Sequence, residues 1–324
     1  MAHEPRFRDQ PAFSETLDAA AEQLGISATA IEKDYWVSQV LRGLCRELSD
    51  AFVFKGGTSL SKAYHLVERF SEDIDLLVLP GGRGREATDK LMKRMADVAA
   101  SEVGGTATST GSSETGRHRA YEISYPATRA PTQLVRTTVL LEMGVRGGDH
   151  PSNVVPVGCL LGDTLAQAGT DITVYSDLQP VEVAVLHPGR TLIEKLVLVH
   201  AQAIQIADDP DSGLNGRIGR HFYDIHQLLA DRAVQDLLAN RQEFQAILNE
   251  IGAVTTTHFS RTGTIVELRP EGGFAMSPAF TTGEISQRFR VTYGSTMPEL
   301  YYGATPLPTW DDICRSVTAA APLL

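Results

Sequence analysis

The sequence is poor in cysteine, in basic charge and in long apolar runs. Only three cysteines occur, Cys45, Cys159 and Cys314, without the paired spacing of a zinc site or a disulfide framework. No apolar run approaches the ~18 residues that cross a bilayer, and the first 25 residues contain no signal-peptide core. The 29 Lys and Arg against 40 Asp and Glu give a net charge of −11, which opposes indiscriminate adhesion to nucleic acid or anionic membranes. The sequence therefore predicts a cytoplasmic protein with no membrane partner.

Strand and helix patterns alternate in the first part of the chain, and helices dominate the second. Strands are predicted at residues 51–54, 74–79, 119–125 and 134–143, with a flexible loop rich in Gly, Ser and Thr at 101–116. Helices are predicted at 191–207, 219–230, 233–252, 284–291 and 310–320, with a hairpin within 255–278. These patterns predict an α/β or α+β domain over residues 1–186, followed by a mainly helical domain over residues 187–324.

A glycine turn follows the first predicted strand. It consists of Lys55, Gly56, Gly57, Thr58 and Ser59, and the next residues have the apolar period of a helix. Paired glycines let a backbone approach a ligand, and a helix start offers free N–H groups to an anion. The turn is therefore either a phosphate cradle or a strand-to-helix connection that needs glycine only for its geometry.

Two aspartates enter the second predicted strand. Asp73 and Asp75 are two positions apart, so they project from one face of a strand with about 7 Å between their Cα atoms. Carboxylates this close repel unless a cation lies between them, and Mg²⁺ prefers oxygen ligands while keeping positions open for substrate phosphates. The pair is either a metal site or a polar strand entry that faces solvent. The glycine turn shortly before it favours the metal site, because cradle and metal can then share one substrate.

A third acid, Glu142, lies in the predicted strand 134–143, among apolar residues. An acid is costly to bury unless it is paired or bound to a metal. If the two strands are neighbours, Glu142 belongs beside Asp73 and Asp75. The alternative is an outward-facing glutamate on an edge strand.

Together these motifs resemble the AbiEii/AbiGii toxin family of nucleotidyltransferases. The likeness extends from about residue 31 to residue 229, with a weaker match to the end, and is carried by residues 32–37, 56–58, 69–76, Glu142, 194–200 and 220–225. His221 stands where many relatives have the first acid of their Arg-Asp-x-x-Asp helix, so only Asp224 carries over from that motif.

The resemblance implies a polymerase β-like core with a mixed sheet, an α+β fold, and a helical domain after it. It also implies the toxin half of a toxin–antitoxin system with a cognate antitoxin, which transfers a nucleotide from an NTP with Mg²⁺ or Mn²⁺ as cofactor. Asp73 and Asp75 would hold the metal, and Glu142 would complete its site and help to deprotonate or orient the attacking hydroxyl. The residues implied to cradle the outer phosphates are Gly56, Gly57, Thr58 and Ser59, with Lys55 as a positive neighbour.

Lys195 and Asp224 match later active-site positions of the family. Lys195, among apolar neighbours, either points half-buried at a phosphate or reaches along the surface to solvent. Asp224 either orients Lys195 or caps and pairs within the helical domain. Ser71 is either a cap before its strand or, as in some relatives, a hydroxyl near the catalytic metals that is itself modified. Arg69 is expected to pair with a core carboxylate.

The resemblance implies RNA as the acceptor, particularly the 3′ end of tRNA, and hence a block of translation. Two local excesses of basic residues either follow an RNA backbone or form ordinary solvated faces; they are Arg83, Arg85, Lys90, Lys93 and Arg94, and Arg117, Arg119, Arg129 and Arg136. The same core could instead nucleotidylate a protein or a small-molecule hydroxyl. A nucleotide- or antitoxin-binding module that has lost catalysis is a third interpretation, which the retention of all five candidate catalytic residues disfavours.

Overall fold

A computed structural model of the chain describes residues 4–71, 73–112, 117–132, 135–214, 216–259 and 268–324. Its internal contacts divide it into two units. The first consists of Met1–His65, Phe70–Arg146 and Ser152–Leu186, and the second of Leu66–Arg69, Gly147–Pro151 and His187–Leu324. Two short segments from the first 186 residues thus belong to the second unit.

The first unit contains a seven-stranded mixed sheet. Its strands are β1 (Phe52–Lys55), β2 (Asp73–Val78), β3 (Ala107–Ser112), β4 (His118–Ser124), β5 (Thr138–Gly144), β6 (Ser152–Val157) and β7 (Val181–Leu186). Their spatial order is β3-β4-β5-β2-β1-β7-β6. β2 runs parallel to β5 and β1 parallel to β7, whereas the other neighbours are antiparallel. This mixed sheet, with its accompanying helices, confirms the predicted α+β class.

The described part of the first unit has five α-helices: α1 (Phe13–Leu24), α2 (Ala28–Leu48), α3 (Gly56–Lys62), α4 (Arg85–Val103) and α5 (Leu160–Gln167). α2, α3 and α4 contact strands of the sheet, and α1 and α5 pack against α2. Side chains alternate along a strand, so Ile74 and Leu76 of β2 join Leu141 of β5 in the buried core with residues of α2 and α4. The residues of β2 and β5 that alternate with these apolar ones lie on the other face of the strands, and they include the three candidate acids.

The second unit is helical, in agreement with the patterns read from the sequence. Its helices are α6 (Pro188–Asp208), α7 (Gly219–Ala230), α8 (Arg232–Ala239), α9 (Arg241–Phe259), α10 (Glu284–Leu300) and α11 (Trp310–Ala319). α7 packs against α6, α10 and α11, and its Phe222 contacts the rings of Phe289 and Trp310. Among the described residues, no helix has the length and hydropathy that a membrane span requires.

The flexible loop predicted for residues 101–116 is wrong over its described part. α4 continues to Val103, Gly104 ends it in the left-handed conformation with φ +70, and β3 follows. Residues 113–116 lie outside the described part of the chain. Small polar side chains bury little apolar surface, but the backbone of β3 pairs with β4, and an edge strand needs no more than that.

Other boundaries also differ from the prediction. The helix predicted at 233–252 is two helices that break at Asn240. In the predicted hairpin 255–278, α9 extends through Phe259, no strand occurs at residues 268–278, and residues 260–267 lie outside the described ranges. The sequence patterns did not reveal β6, β7 and α5.

Asp177 fixes the start of the chain to the first unit. Its Oδ1 accepts a hydrogen bond from Phe7 N at 2.7 Å, and its Oδ2 accepts from Arg8 N at 3.1 Å and from Tyr35 Oη at 2.5 Å. Asp177 is only 3% exposed. Because buried donors are costly to leave unpaired, this carboxylate ties the N-terminal segment to α2.

We expect Asp177→Ala to lower the free energy of unfolding by about 3 kcal/mol, since it leaves three donors without their acceptor. Urea unfolding followed by circular dichroism measures the change. Asp9→Ala is the matched control, because Asp9 is an exposed acid of the same segment; it should change the free energy by less than about 0.5 kcal/mol. Equal effects of the two substitutions would contradict the anchoring role.

Candidate active site

The parallel pairing of β2 with β5 brings the three candidate acids together. The register places Asp75 opposite Glu142 and Asp73 opposite Leu140. All three acids are half-buried, while the alternate positions Ile74, Leu141 and Met143 are buried in the core. Asp73, Asp75 and Glu142 therefore lie on one face of two adjacent strands, as the sequence reasoning required.

The pKa of Asp75 reflects the proximity of the other two acids. Burial, the negative charges of Glu142 and Asp73, and a hydrogen bond between the carboxyl groups of Asp75 and Glu142 together raise the pKa of Asp75 to about 7. The Lys55 ammonium, which lies across from Asp75 in the β1–β2 register, acts in the opposite direction. The two neighbouring carboxyl groups therefore repel each other when both are ionised, and a cation between them would relieve this repulsion.

The glycine turn closes directly onto these acids. Gly56 has a φ of +80, which disfavours any residue with a side chain. A Cβ at this position would lie 2.2 Å from Asp75 Oδ2. Gly56 and Lys55 therefore lie beside Asp75. The absence of a side chain at Gly56 lets the backbone come close to the Asp75 carboxyl group.

The hydroxyls of the turn bond within the protein. Thr58 Oγ1 donates to the backbone oxygen of Asp73 at 2.5 Å and lies 2.8 Å from Ser71 Oγ. Ser59 Oγ donates to the Gly56 oxygen at 2.9 Å. Thr58 and Ser59 are almost fully buried. These hydroxyls hold the turn against the start of β2, so the half-buried Gly56 and Gly57 are the parts of the predicted cradle that face outward.

Whether these acids hold a metal stays a prediction. In the described part of the chain, no group of three or more His, Cys, Asp or Glu side chains is already arranged around a metal position. The chemistry of the donors nevertheless suits a hard divalent ion, because all three are carboxylates and Asp75 and Glu142 are within hydrogen-bonding reach of each other.

Residues 32–37, which carried part of the resemblance, connect α2 to other parts of the first unit. Glu32 accepts hydrogen bonds from the backbone N–H groups of Thr128 and Arg129. Asp34 pairs with Lys62 of α3 and accepts from Leu160 N at 2.7 Å. Tyr35 and Trp36 are buried. α2 thereby fixes α3, the helix that begins with the glycine turn.

A second charged cluster lies within the second unit. Arg69 binds Asp224 through two hydrogen bonds, Nε to Oδ1 at 2.6 Å and Nη2 to Oδ2 at 2.7 Å. Lys195 Nζ lies 2.8 Å from Asp224 Oδ2. Burial alone would raise the pKa of Asp224, but the charges of Arg69 and Lys195 hold it well below its usual range. Lys195 is buried and paired rather than reaching to solvent, and Arg69 has the core carboxylate expected for it.

His221 is the residue of this cluster that sequence reasoning missed. Lys195 Nζ lies 3.2 Å from His221 Nδ1. His221 precedes Asp224 by three positions on α7, a spacing that places both side chains on one helix face. That spacing was the available signal, and it was overlooked because His221 replaces an acid of the family motif.

Comparison with known proteins gives an independent indication of what this chain is. Residues 39–316 match the family model described as nucleotidyl transferase AbiEii toxin, type IV toxin–antitoxin system. The segment 32–37 therefore lies outside the matched range. No match was found among curated protein sequences.

A solved structure supports the fold. The chain is similar to MenT4, a nucleotidyltransferase toxin from Mycobacterium tuberculosis H37Rv, with a TM-score of 0.57 and 18% sequence identity. The similarity covers 95% of this chain and 90% of MenT4. The family model spans most of the chain, and the sheet carries the clustered acids that first suggested the likeness. The chain therefore belongs to the AbiEii family of nucleotidyltransferase toxins of type IV toxin–antitoxin systems.

Proposed function

We propose that this toxin uses a divalent cation to transfer a nucleotide from an NTP to RNA, with the 3′ end of tRNA as the preferred acceptor. The observation that carries the proposal is the β2–β5 register, which sets Asp75 opposite Glu142, with Asp73 on the same face and Gly56 against Asp75. Nucleotidyltransferases in general use an NTP and a divalent metal, and a toxin of this family implies an antitoxin partner.

The three acids are the candidate metal ligands. Asp73, Asp75 and Glu142 would hold the cation, whose charge offsets that of the nucleotide phosphates during attack on the α-phosphorus. Their crowding supports this role, because the pKa of Asp75, raised by burial and by Glu142, reflects negative charge that a cation would offset. An acid pair of this kind is costly to the fold without such a partner.

The chain's own residues would handle the nucleotide and the acceptor. Glu142 would accept a hydrogen bond from the attacking hydroxyl and so orient it or help to deprotonate it. The backbone at Gly56 and Gly57 would contact the outer phosphates, with Lys55 adding positive charge. The family resemblance also implies a role in transfer for Lys195, which Asp224 holds. Ser71, whose hydroxyl meets Thr58, acts as a support for the turn.

The basic residues that could contact an RNA acceptor are partly engaged in ion pairs. Several basic residues of the two local excesses have acidic partners: Lys90 with Glu86, Lys93 and Arg119 with Asp89, Arg129 with Asp18, and Arg136 with Glu122. Such pairs are less available to phosphates, although exposed pairs exchange partners readily. The main support for RNA as the acceptor is therefore membership of the AbiEii family. Hydroxyl groups of proteins or small molecules are the alternative acceptors.

We expect purified protein with Mg²⁺ to move label from at least one α-labelled NTP into RNA. Asp73→Asn, Asp75→Asn and Glu142→Gln should each lower the rate at least ~1,000-fold, because each removes a charge that acts on the reacting phosphates. Gel electrophoresis of the RNA and protein fractions locates the label.

Asp97→Asn is the control for charge, since Asp97 is an exposed acid on α4; its rate should stay within about twofold of the original. Label in protein or in a small molecule would replace the RNA acceptor but keep the reaction. Absence of transfer to any acceptor, with a folded protein, would contradict the transferase proposal.

Metal binding can be measured without catalysis. Mn²⁺ at about 100 times its dissociation constant should stabilise the protein by about 2.7 kcal/mol, which raises the melting temperature by several degrees. Asp75→Asn and Glu142→Gln should abolish the shift, and Asp97→Asn should keep it. Equal shifts in all variants would mean that the cation binds elsewhere.

Gly56→Ala tests the contact between the turn and the acids. Because the new Cβ overlaps Asp75 Oδ2 and φ is positive, we expect transfer to fall at least about 100-fold. Gly82→Ala is the matched control, since Gly82 has a similar φ of +78 but no atom within 4 Å of an added Cβ. It should share the backbone strain yet keep transfer within about threefold; equal losses would assign the effect to strain alone.

A further inference from the structure

His221 contacts the amine of Lys195 in a cluster that Arg69 and Asp224 already occupy. Two helices supply three of its residues, with Lys195 on α6 and with His221 and Asp224 on α7. Lys195 Nζ is 2.8 Å from Asp224 Oδ2 and 3.2 Å from His221 Nδ1. All four residues belong to the second unit, so the cluster is defined within that unit alone.

The contact fixes the protonation state of the imidazole. A lysine ammonium can only donate hydrogen bonds, so Nδ1 must accept and the ring proton must reside on Nε2. A second ring proton would set two donors against each other. Burial and then the positive charge of Lys195 lower the pKa of His221 to about 3; Arg69 and Arg220 act in the same direction, and Asp224 acts in the opposite one. The ring is therefore neutral throughout the physiological range.

A neutral acceptor holds Lys195 without offsetting its positive charge. Asp224 already serves two cations, Arg69 and Lys195. A carboxylate at position 221 would hold the amine too, but it would add negative charge beside it. The imidazole fixes Nζ without neutralising it. Two of the three N–H groups of Nζ are engaged, and it has no third partner among the described residues.

We propose that His221, as a neutral imidazole, is a positioning residue that holds Lys195 Nζ and leaves its charge and third N–H for an anionic phosphate oxygen of a ligand. This inference rests on the proposed function for the identity of the anion. The placement of Lys195 by His221 does not depend on it.

Kinetics of two substitutions test the acceptor atom. His221→Asn keeps an acceptor near the Nδ1 position, and His221→Ala removes it. We expect the Asn variant to transfer within about threefold of the original protein, and the Ala variant to raise KM for NTP about tenfold or more. An Asn variant as poor as Ala would overturn the proposal.

His226→Asn is the matched control on the same helix. His226 Nδ1 lies 3.1 Å from Ser316 Oγ, away from Lys195. Its substitution removes an imidazole from α7 but should leave KM for NTP unchanged. A rise as large as that of His221→Ala would mean that the effect reflects helix packing.

Imidazole NMR of the intact protein tests the placement without any reaction. With ¹⁵N-labelled histidine, and His221→Asn to assign the signal, we expect the Nε2–H tautomer and no titration between about pH 7.5 and 5, where an ordinary histidine titrates. A ring that titrates near pH 6.5, or that carries its proton on Nδ1, would overturn the inference. If no transfer occurs at all, the proposed function fails, yet this measurement still decides the role of His221.

Discussion

The register between β2 and β5 is the constraint on which the candidate site depends. Parallel pairing sets Asp75 opposite Glu142, and strand alternation puts Asp73 on the same face while Ile74 and Leu141 enter the core. A shift of one residue would send the acids into the core and the apolar side chains to the open face. Burial of the apolar face therefore enforces the meeting of the acids, although the acids repel each other.

The surrounding residues of the first unit resist that repulsion. Thr58 Oγ1 bonds to the backbone of Asp73, and the Gly56 backbone packs against the Asp75 carboxyl. Lys62, on the helix that follows the turn, pairs with Asp34 of α2. Since α2 is packed into the core over most of its length, the turn is held from a rigid element. The segment around Asp34 thus contributes to the site through position rather than chemistry.

Sequence patterns predicted the parts of this arrangement that are local. The i, i+2 spacing of Asp73 and Asp75 gave their shared face, and the glycine turn gave the strand-to-helix connection. The sequence predicted Glu142 beside the two aspartates only if β2 and β5 were neighbours. Residue spacing contains no information about which strands pair. β3 was missed for a related reason: its Gly, Ser and Thr side chains carry no apolar signal, and backbone pairing with β4 alone makes it a strand.

The acids of the two units lie in opposite electrostatic environments. Burial and Glu142 raise the pKa of Asp75, whereas the cations Arg69 and Lys195 lower that of Asp224 despite its complete burial. A carboxylate held so firmly by two cations is a poor proton acceptor near neutral pH. In the proposed function, Asp224 therefore orients Lys195, with which it pairs at 2.8 Å. In the same proposed function, Glu142 on β5 is the group that orients or deprotonates the attacking hydroxyl.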